Sequence, residues 1–250
     1  MVEQPIESIF ARSWALLNRN WIIIVPGIVI GLIVGVATGL LAPQTTVIDA
    51  NGQSVTTFGG NFWGSLLLGL IGLIGYIATV AYTTGMAGAA WLQGTTTLAD
   101  GTRIFERDAG RIVLVGLGLL VLAVIAVVLL IPTLGLAFLA YVLFTLYAFP
   151  AAIVGDRPAG AAISESLRLA VARFFPTLIV AVVVFGLRLL GGIVGAALGF
   201  APLIGPIVGA IVTQVVVAYA TLLVVGEYLN LERAGTVPPT PTPPPPPAPY

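Results

Sequence analysis

Arg188 stands in the middle of an otherwise uncharged apolar run, Phe175–Gly199, and is the residue of this chain best placed to do chemistry. It lies about 13 residues into that run, ~20 Å deep if the run is a helix rising ~1.5 Å per residue. A guanidinium at that depth of a bilayer costs roughly 2.5–3.5 kcal/mol, so it must face the bundle or a wet cavity. Folding the last two runs back on each other about residues 201–206 brings Gln214 and Tyr219 to its depth. Arg188, Gln214 and Tyr219 therefore form a candidate anion or lipid site. Gln214 can accept a hydrogen bond but cannot neutralise the charge. No Asp or Glu falls at comparable depth, and Glu227 is expected near the edge of the last run. The unmatched cation points to an external anion, a lipid phosphate or an anionic solute. The competing reading is an arginine that caps the carbonyls of a kinked helix. Tyr76, Tyr82, Tyr141, Tyr147 and Tyr219, with Thr79, Thr145 and Thr213, are candidates for a polar core between helices. Tyr82 and Tyr228 also fit an aromatic belt at a membrane interface.

Other chemistries are excluded by composition. The chain has no Cys and no His, so it lacks thiolate and imidazole ligands, nucleophilic thiols and the usual neutral-pH base. Asp100, Glu106, Asp108, Asp156 and Glu165 are interleaved with arginines and read as solvated surface charge. No spacing among them matches a metal site or an acid/base pair, and no phosphate-binding or nucleophile-elbow motif occurs. Catalytic, cofactor and metal residues are accordingly expected to be absent. A formal net charge of zero gives no basic face for nucleic acid. Every cation is a guanidinium, which favours phosphate-facing positions at a membrane surface.

The elements that must position these groups are six apolar runs: Trp21–Leu41, Phe62–Thr84, Arg111–Ile131, Leu134–Val154, Phe175–Gly199 and Ile204–Tyr228. Each is about 20 residues or longer, enough to cross ~30 Å of hydrocarbon as a helix. Arg12, Arg19, Arg103, Arg107, Arg111, Arg157, Arg168, Arg173 and Arg233 all fall in one class of connection, and the other class carries no cation. The positive-inside rule then places both termini in the cytoplasm. The first 20 residues contain Glu3, Glu7, Arg12 and Arg19, unlike a cleavable signal peptide. Ile6, Phe10, Trp14, Leu17 and Trp21 recur at helical spacing, as do Ile163, Leu167, Val171 and Phe174. Both stretches predict amphipathic helices at the inner surface, with Arg12, Arg19, Arg168 and Arg173 facing lipid phosphates. Asp100-Gly101 predicts a turn, followed by a short helix over residues 102–108.

The fold class expected is all-α integral membrane, with six transmembrane helices arranged as three helical hairpins. Ala81-Tyr82-Thr83, Leu146-Tyr147-Ala148 and Ala218-Tyr219-Ala220 mark the inward spans of a threefold repeat. Gly27, Gly31, Gly35 and Gly39, and Gly191, Gly195 and Gly199, stand at four-residue intervals and predict close helix packing within the bundle. Thr45–Asp49 and Gln53–Thr57 flank Ala50-Asn51-Gly52, the signature of a small outer β-hairpin. The tail Val237–Tyr250 is mostly proline and predicts a disordered or extended tether. The organisation expected is an amphipathic helix over 1–20, a six-span domain over 21–229 and a Pro-rich tail over 230–250.

Phe149-Pro150-Ala151-Ala152-Ile153-Val154-Gly155-Asp156-Arg157-Pro158, then Ser164-Glu165-Ser166-Leu167-Arg168 to Arg173-Phe174-Phe175, form one extended motif. With Phe10-Ala11-Arg12-Ser13-Trp14 to Arg19-Asn20-Trp21, it resembles the surface helices of the prokaryotic glycerophosphoryl diester phosphodiesterase membrane-domain family. The resemblance covers about 40 residues in motif and implies no activity, because in that family the chemistry belongs to a separate soluble domain. The expectation is a non-enzymatic protein of the inner membrane. It would be a scaffold or accessory subunit, with membrane lipids and other membrane subunits as partners. The alternative is a transporter for a small anionic or amphipathic solute with Arg188 in its path. A cavity reaching Arg188 would favour transport, and a dry core would favour the scaffold.

Overall fold

A computed structural model describes residues 4–41, 44–48, 54–58, 62–198 and 204–235. Its elements are α1 (Ile6–Arg19), a 3-10 turn (Trp21–Ile24), α2 (Val25–Leu41), β1 (Gln44–Ile48), β2 (Ser54–Phe58), α3 (Phe62–Gln93), α4 (Leu98–Val128), α5 (Leu136–Thr145), α6 (Ala148–Ile153), α7 (Ala159–Ala172), α8 (Phe174–Leu198) and α9 (Ile204–Gly235). β1 and β2 pair antiparallel, Gln44 opposite Phe58 and Ile48 opposite Ser54. The expected hairpin turn over 50–52, Gly199 and the Pro-rich tail lie outside the described residues.

Six segments are long and apolar enough to cross a membrane, as in a multi-pass membrane protein: Trp21–Thr38, Gly64–Gln93, Leu98–Val128, Leu136–Ile153, Phe174–Gly195 and Ile207–Ala234. Their outward faces are as apolar as their inward ones. Leu32, Ile33, Val36, Val121, Val127, Val182 and Ile193 are all more than half exposed. Lipid gives no hydrophobic reason for such helices to associate, so close packing of small side chains must hold them. The interior is accordingly rich in alanine: Ala81, Ala87, Ala90, Ala148, Ala151, Ala152 and Ala218 are wholly buried.

α1 and α7 repeat in structure as well as in sequence. α1 and α7 each have 14 residues and each start after a proline in extended backbone, Pro5 and Pro158. They end at Asn20 (φ −123°, ψ 49°) and Arg173 (φ −129°, ψ 53°). The same four positions are buried in both: Ile9, Ser13, Leu16 and Leu17 in α1, Ala162, Ser166, Leu169 and Ala170 in α7. The first part of α4 follows an extended Thr97 and ends at the non-helical Asp108 (φ −126°, ψ 15°). α1 packs on α9, the start of α4 runs beside α3, and α7 packs on α5 and α6. A tyrosine of each repeated triplet makes the junction. The Tyr219 hydroxyl approaches the Phe10 carbonyl at 3.5 Å, and its ring meets Trp14 edge-on. The Tyr82 hydroxyl donates to the Leu98 carbonyl at 2.6 Å. The Tyr147 N–H donates to Ser166 Oγ at 3.0 Å.

Pro150 explains why the fourth span is broken into α5 and α6. It has no N–H for the carbonyl of Leu146, and its ring crowds that carbonyl, so the helix opens at Leu146 and Tyr147. Ser166 repairs the gap by donating to the Phe144 carbonyl at 2.7 Å while accepting from Tyr147.

Several expectations need correction. Asp100-Gly101 is no turn: both lie in the first turn of α4, where Asp100 accepts from the Thr97 N–H at 2.8 Å and Gly101 packs under the Tyr82 ring. The chain turns instead at Gly94 (φ 80°). The glycine stripe of α2 packs only in part. A side chain at Gly27 would collide with Gln214, whereas Gly31 and Gly35 face open space. At the α2–α3 contact the small residue is Gly75 of α3, which receives Val34 and Ile30. The other stripe does bring backbones together, since a Cβ at Gly209 would lie 3.3 Å from Gly195 Cα. Gly191 meets Val216 on the same seam.

Candidate functional site

A cavity of about 580 Å³ lies between α3, α4, α5, α6, α8 and α9. Its wall is mostly apolar, with Tyr76, Thr84, Tyr141, Thr145 and Thr221 as uncharged polar side chains and Arg188 as the one charge. Thr145 and Thr221 donate to carbonyls one turn back, at 2.6 and 2.8 Å, so their protons are already used within their own helices. One end of the cavity is closed by buried residues, including Thr84, Leu119, Val184 and Ala220. At the other end Tyr76, Phe138, Phe185 and Leu189 are exposed, so the cavity opens sideways between helices.

Arg188 is itself exposed on this cavity, and among the described residues it makes no hydrogen bond, ion pair or ring contact. It caps no carbonyl. α8 places it there because Val180, Val184 and Arg188 recur at four-residue steps on the face turned to the bundle. The first turn of α8 tolerates Pro176, since an early helical residue has no N–H partner to lose.

Gln214 and Tyr219 do not join Arg188. Neither lines the cavity, and no hydrogen bond links them to it. Gln214 packs on Gly27 of α2, and Tyr219 packs on α1. The depth expected from folding the hairpin holds, because Gly191 meets Val216. The facing does not, because Gln214 lies about 200° around α9 from Val216 at ~100° per residue. Of the expected polar core, Tyr76, Tyr141 and Thr145 share the cavity with Arg188, while Tyr82, Tyr147 and Tyr219 join helices at the arginine-bearing end. Tyr228 is no interfacial residue: it is wholly buried, its ring 6.5 Å from that of Tyr147.

The surface arginines divide. The Arg12 guanidinium lies 4.5 Å over the Trp91 ring and donates to the Trp91 carbonyl at 3.2 Å, so it faces the bundle. Arg19 is exposed in the last turn of α1, Arg168 is exposed beside Glu165 at 3.8 Å, and Arg173 is exposed at the end of α7. Asp108 is not a solvated surface charge. The break in α4 turns it inward to 5% exposure, where it pairs with Arg107 at 2.8 Å and Arg111 at 3.0 Å. Arg111 also reaches Asp156 at 2.6 Å. That hydrogen bond, with the charges of Arg111 and Arg107, holds the Asp156 carboxyl below its ordinary range.

Sequence reasoning, which set Glu227 near the edge of the last run, missed its burial among the helices at 1% exposure. The signal available was its position seven residues beyond Ala220 on one helical face. Among the described residues no cluster of three carboxylates could hold a metal ion. No family model, no curated protein and no solved structure matches the chain, so its function is read from this geometry alone.

Proposed function

We propose that this chain is a non-enzymatic, multi-pass protein of the inner membrane that takes an amphipathic anion into the cavity between its helices. Arg188 holds the anionic group, and the apolar wall takes the hydrocarbon. One observation carries the proposal: a guanidinium with no partner among the described residues, on a cavity of about 580 Å³. That volume falls in the ~300–1,000 Å³ range of ligand pockets, which are mostly apolar with a few placed polar groups. A cation in lipid stays only where something compensates it, and among the described residues Arg188 has no partner. Tyr76 and Tyr141 add hydroxyl donors on the same wall. The cavity favours transport or carriage of the anion over a scaffold with a dry core.

In this reading the arginine-bearing end is cytoplasmic, and three helical hairpins cross the membrane. The β1–β2 ribbon lies outside. Arg19, Arg168 and Arg173 meet phosphates of the inner leaflet, alongside the exposed Trp14, Phe174 and Phe175. Native mass spectrometry after gentle detergent extraction tests the proposal. The wild-type chain should retain an anionic amphipath, and Arg188→Leu should fold yet lose it. Equal retention by both would count against the reading.

A further inference from the structure

Around the cavity α3, α4, α5, α8 and α9 pack each on the next, and α9 closes the ring on α3. The loosest seam of the ring is that between α5 and α8. α5 is short because Pro150 breaks the fourth span, so it has only 10 residues to set against the 25 of α8. Exposure follows the same seam. Of the residues on the cavity wall, α4, α6 and α9 expose none and α3 only Tyr76. α5 exposes Phe138, and α8 exposes Phe185, Arg188 and Leu189. On α8 that stretch is the middle of the helix, about 17–22 Å from its start at ~1.5 Å per residue. Phe174–Gly195 is apolar enough to cross a membrane, so an opening at its middle faces hydrocarbon rather than water.

The far end of the cavity is sealed by apolar side chains, with Leu119, Phe149, Val184 and Ala220 all buried. A ligand therefore lies with its anionic head at Arg188, by the opening, and its hydrocarbon toward the sealed end. The cavity measures about 580 Å³. A methylene is about as large as a water molecule, which takes ~30 Å³ of liquid, so roughly 19 such groups fill the space. That is one chain with a small head, and a second chain would be left outside. Lipid tails are as apolar as the wall, so moving a chain from bilayer to cavity changes its free energy little. The preference comes from the head, through charge-assisted hydrogen bonds to the guanidinium.

Resting on the reading of the cavity as an anion site, we propose that its ligand is an anionic lipid with one hydrocarbon chain, drawn from the bilayer through the seam between α5 and α8. Phe138 and Phe185 flank that doorway. Arg188 is the one charge on the wall and is itself exposed there, so the head meets its counter-charge at the mouth. Tyr76 and Tyr141 offer the head hydroxyl donors on the same wall. The chain lies beyond, against Leu119 and Phe149.

The test uses the full chain in nanodiscs of zwitterionic lipid at about pH 5, where alkyl phosphates carry about one negative charge. Tetradecyl phosphate should bind the wild type more than about tenfold more tightly than inorganic phosphate or ditetradecyl phosphate. Equal binding of inorganic phosphate overturns the lipid, and equal binding of the two-chain ester overturns the single chain. A diazirine at the chain end of tetradecyl phosphate should mark Leu119 or Phe149 on irradiation. Marks confined to the outward Val121 and Val182 overturn the placement of the chain. Because the chain has no Cys, Phe138→Cys with Phe185→Cys can be joined across the seam by a bis-maleimide. Joined before the probe is added, this variant should lose the marks at Leu119 and Phe149, and marks at the wild-type yield overturn the doorway. Should the variant fail to fold, a diazirine beside the phosphate decides on the wild type. It should mark Phe138, Phe185 or Leu189, and marks on none of them overturn the doorway. Arg188→Gln separates the two readings. Unchanged binding of tetradecyl phosphate there defeats the cavity assignment, whereas lost binding beside equal wild-type binding of inorganic phosphate or the two-chain ester defeats the single-chain lipid alone.

Discussion

Arg111 and Arg188 are the same side chain in two solvents, and the protein treats them oppositely. Arg111 is held by Asp108, by Asp156 and by the Ala152 carbonyl at 2.9 Å, all within the arginine-bearing end. Arg188 lies in a segment apolar enough to span lipid and has no partner among the described residues. A paired guanidinium is part of the structure, and its loss leaves a buried carboxylate stranded. An unpaired one contributes little to the fold and is free for a ligand. The contrast separates what holds this molecule together from what it binds.

The largest stability effect should follow from breaking the paired side. Arg111→Leu leaves the buried Asp108 with only the exposed Arg107, a loss on the order of 3 kcal/mol. Arg188→Leu should leave stability unchanged or raised by up to about 2 kcal/mol, because it removes an uncompensated charge. Thermal unfolding of both variants in detergent checks this, and a larger drop for Arg188→Leu would break the contrast.

The helix seams sharpen it next. Gly209→Leu drives a side chain into the Gly195 backbone and should cost about 1–3 kcal/mol. Gly31→Ala, facing open space, should stay within about 0.5 kcal/mol or gain from better helix propensity. The two related surface helices offer a finer test. Ser166→Ala removes the bridge across the α5–α6 break and should cost about 1–2 kcal/mol. Ser13 occupies the same place in α1, but its buried hydroxyl has no hydrogen-bond partner among the described residues. Ser13→Ala should therefore be neutral or stabilising, as urea unfolding of the pair would register.

The smallest effect is that of pH on the paired side. Asp156 has a depressed carboxyl pKa, so its pairing stabilises fully above the ordinary Asp value of ~3.9. That contribution is lost as pH falls through the lower folded value. Asp156 is exposed, so Asp156→Asn should change the acid limb of a melting-temperature profile only slightly. Any loss should appear below about pH 4 and none near neutrality.

The spans and the surface helices were legible because hydrophobic length and 3.6-residue spacing survive any arrangement of neighbours. The three tyrosine triplets also marked real junctions, since each joins a long apolar segment to α1, to the start of α4 or to α7. The isolation of Arg188 could be read because no span offers a carboxylate at its depth. Its neighbours could not be read. Helical period fixes which residues of α9 share a face, but only the meeting of Gly191 with Val216 decides which face turns to α8. Gln214 therefore went to α2 and Tyr219 to α1, while Thr221 and Val224 took the places beside the cavity. The same ambiguity hid the outward turn of Gly31 and Gly35. Asp108 was misread for another reason: a break in the helix, invisible to periodicity, rotates it inward.

The central claim is that the cavity exists to hold an anion on Arg188. A cryo-electron microscopy map of the full chain in nanodiscs made from its native lipids tests it most directly. The account predicts elongated density in the cavity, its head within ~3 Å of the guanidinium nitrogens. An empty cavity, or an Arg188 side chain paired with the protein and no ligand beside it, would contradict the account.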